Sequence, residues 1–459
     1  MILTDEPTSP LKAGQAALDR DVEQEGDSST PLLLHSPPPY APRNDPSAHP
    51  VRPHRHRRRS ARRRFLKALF IAIAIYLLVG ALTSSMLWTA SSGHHHGQET
   101  LPGDDWPSRP IPSDGQISHC AGGHDWTSTG SGPANHFPYS ADTRFQYPLS
   151  SDVLYLLARG EPAYGSVKVV DWENEEDNVV IIVKAGYYSQ EALNQVQVCA
   201  ISRKEGENGI GIFTPKTMGV GDFKDRTVQF EVTVYIPVRD RASARVHAFE
   251  SNMPTFSHDF YISRHGLRVD NASLETSDAG ISGYFDTSSY LQLKTSNGPI
   301  RATVGLFNDP SGKQTALSLK TSNGPIETVL SLLSPGNTQG SFNVSTITSN
   351  NRVKVDYDTS PTDSTLTHTL HTSNGPATMN LHRAYEGAFS VESSTVGPAI
   401  VDKDHAEDPS GRHRRRWFEI FQATETKITG GMYWDEKTPD AKGRVDMMTS
   451  NAPAKLRFL

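Results

Sequence analysis

The chain has 459 residues, room for about three domains at ~150 residues each, but ten of its 31 prolines fall within the first 53 positions. Residues 1–67 carry 12 Lys+Arg against 8 Asp+Glu, so residues 68–459 hold a charge of −10 within an overall −6. An acidic main body excludes nucleic acid as a general partner, since phosphate binding needs a basic face; two cysteines exclude a disulfide-rich scaffold and a four-thiolate zinc site.

Residues 1–50 are rich in proline, serine and acidic groups and have no sustained apolar period, so the composition predicts a disordered tail, taken to residue 64. Within it, Pro37, Pro38, Pro39 and Tyr40 fit the P-P-x-Y pattern. A stiff polyproline II backbone ending in a ring suits the aromatic groove of a WW domain, and the motif resembles the one that recruits WW-containing ubiquitin ligases. Upstream, Asp27 to Leu34 resembles an acidic dileucine sorting signal with its acid one residue too far from Leu32; phosphorylation of Ser28 would supply the missing charge.

Residues 65–88 are expected to form a transmembrane signal-anchor helix. Ala68 to Trp88 is a run of 21 residues without a charge, and at ~1.5 Å per residue it matches a bilayer core of about 30 Å. Arg52, Arg55, Arg57, Arg58, Arg59, Arg62, Arg63, Arg64 and Lys67 precede the run, and the next basic residue is Arg109. The positive-inside rule then puts the N-terminus in the cytosol and the body on the lumenal or extracellular side, a type II single-pass topology in contact with membrane lipid. Residues 89–150, rich in Gly, Ser, Pro and His, read as a flexible stalk. His94, His95, His96, His119, Cys120 and His124 lack zinc-motif spacing, so no metal or other cofactor is expected.

From about residue 151 the pattern becomes β. Segments 167–172, 179–188, 196–202, 209–213 and 227–238 alternate in steps of two or are rich in branched residues, with Gly, Asn, Asp and Pro between them. An internal repeat follows: LQLKTSNGPIRATV, LSLKTSNGPIETVL, THTLHTSNGPATMNL and VDMMTSNAPAKLRFL, with looser copies at 272–283, 344–355 and 391–401. Copies at Thr276, Thr295, Thr321, Thr348 and Thr372 are spaced by 19, 26, 27 and 24 residues, a period that marks stacked units. Apolar residues stand four and two places before the threonine and resume five places after it, so two strands meet at each corner. Asn297-Gly298, Asn323-Gly324 and Asn374-Gly375 are expected to turn the chain through positive φ. Recurrent Asn and Ser side chains have the spacing to stack from one unit to the next. Asn-Gly between alternating runs also fits antiparallel hairpins; the near-identity of the corners favours stacking.

The L-x-L-x-T-S-N-G-x-I unit, behind the strand Val232-Thr233-Val234-Tyr235-Ile236-Pro237, resembles the putative-adhesin repeats called toast-rack domains and their fungal membrane-anchored relatives. The match covers roughly 230–459, with earlier strands as opening rungs. The resemblance implies a right-handed β-helix-like stack and an adhesive or scaffolding role, with no activity attached. Residues 402–417 depart from the repeat and are expected to loop out, carrying a basic cluster, Arg412 to Arg416, balanced by Asp402, Asp404, Glu407 and Asp408.

No nucleophile elbow, H-E-x-x-H, P-loop or EF-hand stands out. The repeated positions carry Ser, Thr and Asn where a polysaccharide-processing enzyme would set carboxylates; Asp278, Asp286, Asp356 and Asp358 read as turn or surface groups. Asn271-Ala272-Ser273 and Asn343-Val344-Ser345 are sequons on the predicted lumenal side. Cys120 and Cys199, in the same oxidising space, can pair, although Cys199 between apolar neighbours also fits a buried thiol. The sequence therefore reads as an all-β, β-helix or solenoid-like domain (residues 151–459) on a type II membrane glycoprotein. Its expected role is non-enzymatic contact with a glycan or protein ligand at the plasma membrane. The alternative is a vacuolar or endosomal protein whose tail recruits a WW-domain ubiquitin ligase.

Overall fold

The computed structural model describes residues 110–122, 124–130, 136–160, 163–215, 227–239, 244–264, 266–402, 407–435 and 443–459. The tail with its P-P-x-Y motif, the span at 65–88 and the first part of the expected stalk lie outside the described residues. Among those described, no helix is long and apolar enough to cross a membrane. The domain is all-β: among the described residues 26 strands link into one large mixed sheet folded into two facing walls. The one α-helix among the described residues is Gln190–Asn194, capped by Ser189, whose Oγ accepts from Ala192 N.

Each repeat sends one strand into each wall. In the first wall Leu267–Glu275, the latter part of Ile281–Lys294, Thr315–Lys320, Ser341–Ile347 and Thr365–Thr372 pair in parallel, in that order. In the second, Phe256–Tyr261, the start of Ile281–Lys294, Ile300–Phe307, Ile326–Leu333, Val353–Thr359 and Ala377–Leu381 do the same. Ile281–Lys294 runs from the second wall into the first, which joins the two into one sheet. Parallel stacking rather than hairpin pairing is thus what the Asn-Gly corners serve.

Chain order and spatial order differ at both ends. Val153–Arg159 lies between Glu207–Phe213 and Ala244–Asn252, and Tyr164–Glu173 between Val228–Val238 and Phe256–Tyr261. At the far end the C-terminal pair Gly443–Thr449 and Ala454–Phe458 slots behind Thr365–Thr372 and Ala377–Leu381. It lies ahead of Gly387–Ser393 and Ala399–Asp402. Antiparallel strands finish each end. Gln197–Lys204 and Gln116–Cys120 extend the first wall, Asn178–Tyr187, Tyr139–Pro148 and Thr127–Gly130 the second, and Lys427–Trp434 with Arg416–Ala423 close the far edge.

Two boundaries differ from expectation. Residues 116–148 contribute three strands to the domain, so the stalk cannot extend to 150; their Gly, Ser and Pro content masks short strands anchored from outside. Asp114 illustrates the anchoring: it is buried and its carboxylate takes two hydrogen bonds from Arg159, at 2.6 and 3.1 Å. The 402–417 segment does not loop out whole, because its last two residues begin the strand Arg416–Ala423.

The core follows the alternation. Leu291, Leu293, Leu317, Leu319, Val344, Leu370, Val445 and Met447 from the first wall face Ile281, Ile300, Ile326, Val353, Val355, Met379 and Leu456 from the second, all buried. Each such Leu, Ile or Val contributes about 1.5–3 kcal/mol by leaving water. The pleat fixes their partners, since a slip of one residue would turn every one of them outward. Contact between the walls is direct: Phe249 meets Phe260 with ring centres 5.9 Å apart, and Phe389 meets Phe458 at 5.2 Å.

Candidate functional site

The repeated corner is built by three residue types. Its threonine is buried at Thr276, Thr295, Thr321, Thr348, Thr372 and Thr449, and in the 391–401 copy the buried Ser393 takes its place. Thr321 Oγ1 donates to the Gly298 carbonyl of the previous corner at 3.3 Å and accepts from Gly324 N at 3.1 Å. Thr295 makes the same pair of bonds with Ala279 O and Gly298 N. Serine and asparagine main-chain N–H groups tie each corner to the previous serine: Ser322 N and Asn323 N both donate to Ser296 O, at 3.0 and 2.9 Å.

The asparagine side chains form a continuous ladder on the outside. Asn297 Nδ2 donates to Asp278 Oδ1 at 2.6 Å, Asn323 to Asn297 at 2.6 Å, Asn350 to Asn323 at 2.7 Å, Asn374 to Asn350 at 2.7 Å, and Asn451 to Asn374 at 2.7 Å. The last bond joins residues 77 apart in sequence because the C-terminal strands slot in behind Ala377–Leu381. The 391–401 copy, which lacks the asparagine, lies beyond this rung and touches it through Thr395 Oγ1, which donates to Ser450 O.

The glycines serve a different purpose from the one expected. Gly298, Gly324 and Gly375 are not among the glycines at positive φ. A Cβ on Gly324 would stand 1.8 Å from the Gly298 carbonyl oxygen; on Gly298 it would meet Ala279 O at 1.8 Å, and on Gly375 Asn351 O at 1.9 Å. The corner needs glycine because successive backbones approach too closely for a side chain.

The remaining sequence-derived residues fall in separate places. Asn271 and Asn343 are both exposed on the outer face of the first wall. They share one cross-strand column, Asn271, Tyr290, Ala316, Asn343, three strand spacings or about 14 Å apart. Cys120 and Cys199 stand opposite one another in the antiparallel pairing of the first wall and are joined as a disulfide.

The basic cluster is largely engaged internally. The Arg414 side chain is 7% exposed; it lies 3.0 Å from Asp408 and 3.1 Å from Glu386, while Arg412 bonds Asp363 at 2.6 Å. Burial pushes the Asp408 carboxyl up, but the Arg414 and Ser410 hydrogen bonds outweigh it and hold the group well below the ordinary carboxylate range. Arg415 stacks over Trp417, its guanidinium 4.8 Å from the ring centre.

Two features carry no repeat signature and escape a motif reading. One is a buried polar bridge between the walls: His368 Nδ1 meets Tyr357 Oη at 2.7 Å and His368 Nε2 meets Thr346 Oγ1 at 3.1 Å. His368 and Thr346 occupy inward positions that leucine or valine fills in other copies. The other is an aromatic cluster on the outer face of the second wall. Tyr261, Val170 and Tyr235 are cross-strand neighbours, and Trp172 lies edge-on to Tyr235 at 6.0 Å. Its signal in the sequence is the alternation itself, since Val170, Trp172 and Tyr235 sit out of phase with the buried Val167, Val169, Val232 and Val234.

No family model matches the chain, and no curated protein matches it. Among solved structures, a putative cell adhesion protein from Clostridium sporogenes aligns over 69% of this chain and 100% of its own, at 10% identity and a TM-score of 0.18. A putative adhesin from Bacteroides fragilis aligns over 69% and 97%, at 9% identity and a TM-score of 0.24.

Proposed function

We propose that the chain is a type II single-pass membrane glycoprotein that presents a solenoid-like, non-enzymatic adhesin-like domain for contact at the cell surface or with surrounding matrix. The observation that carries this reading is the placement of Asn271 and Asn343. Both sequon asparagines project from one column of one outer wall, accessible to a glycosylating enzyme and clear of the core. The repeated Thr, Ser, Asn and Gly residues are committed to corner bonds, so the repeat serves rigidity, and specificity belongs to the wall faces. A disulfide between the only two cysteines fits an oxidising compartment.

The second reading, a vacuolar or endosomal protein whose tail recruits a WW-domain ubiquitin ligase, rests on Pro37 to Tyr40. A fluorescent fusion at the C-terminus separates the two. Steady-state signal at the cell surface supports the adhesive role, whereas vacuolar signal that moves to the surface on Tyr40→Ala supports the sorting role and defeats the first.

A further inference from the structure

We infer that the outer face of the second wall, around Trp172, Tyr235 and Tyr261, is a binding platform for a saccharide chain bearing free amino groups. The inference rests on the adhesive reading and names its ligand class and its site. Trp172 is 39% and Tyr261 62% exposed, each at the C-terminal end of its strand. Tyr235 and Tyr261 are separated by the strand carrying Val170, two strand spacings or about 10 Å, the span of two sugar units in an extended chain. Trp172 stands edge-on beside Tyr235, the ring planes 73° apart, and borders the row on one side.

The charge around the rings sets the ligand's sign. The turn leaving Trp172 carries Glu173, Glu175, Glu176 and Asp177, and Asp171 precedes it. Arg239 pairs with Asp177 at 2.9 Å, and Asp171 accepts from Ser263 N at 3.1 Å. Glu173, Glu175 and Glu176 are exposed, with no ion pair among the described residues. On the other side of the rings Asp259 faces Lys168, itself bonded to Glu231 at 3.1 Å. Rings flanked by surplus carboxylates attract a cation through both ring quadrupole and Coulomb terms, and the sugar C–H face supplies the apolar contact for stacking.

An extended peptide is the weaker fit. The main-chain groups of Gly165–Val170 are taken by parallel neighbours on both sides, so the strand between the two tyrosines offers no ladder for strand addition. The opposite wall is the one that carries Asn271 and Asn343, and glycans there would leave the aromatic face open.

The test is calorimetric titration of the purified full-length protein with a hexamer of glucosamine, and with cellohexaose, the N-acetylated hexamer and hexalysine as comparators. The platform predicts binding of the glucosamine hexamer. That binding should weaken about tenfold in Tyr261→Ala and in Trp172→Ala, survive in Tyr261→Phe, and fall with Glu175→Gln and with added salt. Both aromatic positions are exposed, so the melting temperature should not move.

Equal binding of cellohexaose would overturn the amino-group assignment. Hexalysine binding that ignores Trp172→Ala would overturn the saccharide assignment, and no binding of the glucosamine hexamer would overturn the site. Attachment of cells displaying the protein to a glucosamine-polymer surface separates this failure from that of the adhesive reading. Attachment unchanged by Tyr261→Ala removes the platform alone; no attachment by the wild type to that polymer or to any cell or matrix preparation removes adhesion itself.

Discussion

Replacing Gly324 with alanine places a new Cβ 1.8 Å from the Gly298 carbonyl oxygen, a contact relieved only by spreading two rungs. The expected cost is about 1–3 kcal/mol, as for other forced overpacking, and valine should cost more. Lys320→Ala, one residue from the same corner on an exposed position, should stay within about 0.5 kcal/mol. Thermal or denaturant unfolding of the two variants checks this, and equal effects would contradict the close-approach account. Two histidines make a separate prediction. Burial lowers the pKa of His368 to about 3, and burial, partly offset by a hydrogen bond with the Phe256 main chain, lowers that of His258 to about 4. The unfolded chain protonates near 6.5. No stability is lost to these groups above that value; between it and the folded pKa values the unfolded state binds more protons, so stability falls on acidification. At pH 5 each histidine removes about 2 kcal/mol relative to pH 7.5. Melting curves at the two pH values would show the loss, and a flat profile would mean these rings are solvated.

The C-terminal strand pair is where order in the sequence and order in space diverge. Val445, Met447, Ala454, Leu456 and Phe458 are buried between earlier rungs on both sides. Removing residues 443–459 should therefore split the stack internally and lower the melting temperature by at least about 10 °C, whereas trimming a free end would be mild; near-wild-type melting would contradict the slotted arrangement. The T-S-N-A-P motif at 449–453 revealed a further rung but not its place, because a corner encodes the chemistry of joining without naming its neighbour. The core was legible for the same reason in reverse: Leu291, Leu293, Leu317 and Leu319 declare their face through period-two alternation alone. The strands between 116 and 148 were not: Gln116–Cys120 is held by the Cys120–Cys199 bond and the neighbouring Asp114–Arg159 pair, contacts across 79 and 45 residues, and Tyr139–Pro148 by pairing with Asn178–Tyr187. The aromatic face was legible only as alternation, its grouping being a consequence of which strands become neighbours.

At the scale of the whole molecule, the domain has a wall bearing the sequon residues Asn271 and Asn343, a wall bearing Trp172 and Tyr261, and the corner ladder; the proposed function assigns glycans to the first wall and a ligand to the second. That division has meaning only if the domain stands across a membrane from the tail, as the nine basic residues between Arg52 and Lys67 and the charge-free run to Trp88 predict. Protease digestion of sealed microsomes containing the full-length protein measures this directly. Protease added outside should remove the N-terminal tail and leave a protected fragment containing residues 110–459 that shifts in mobility on deglycosylation, the shift disappearing when Asn271 and Asn343 are both replaced by Gln. A protected tail with a digested body would reverse the topology and contradict the adhesive account.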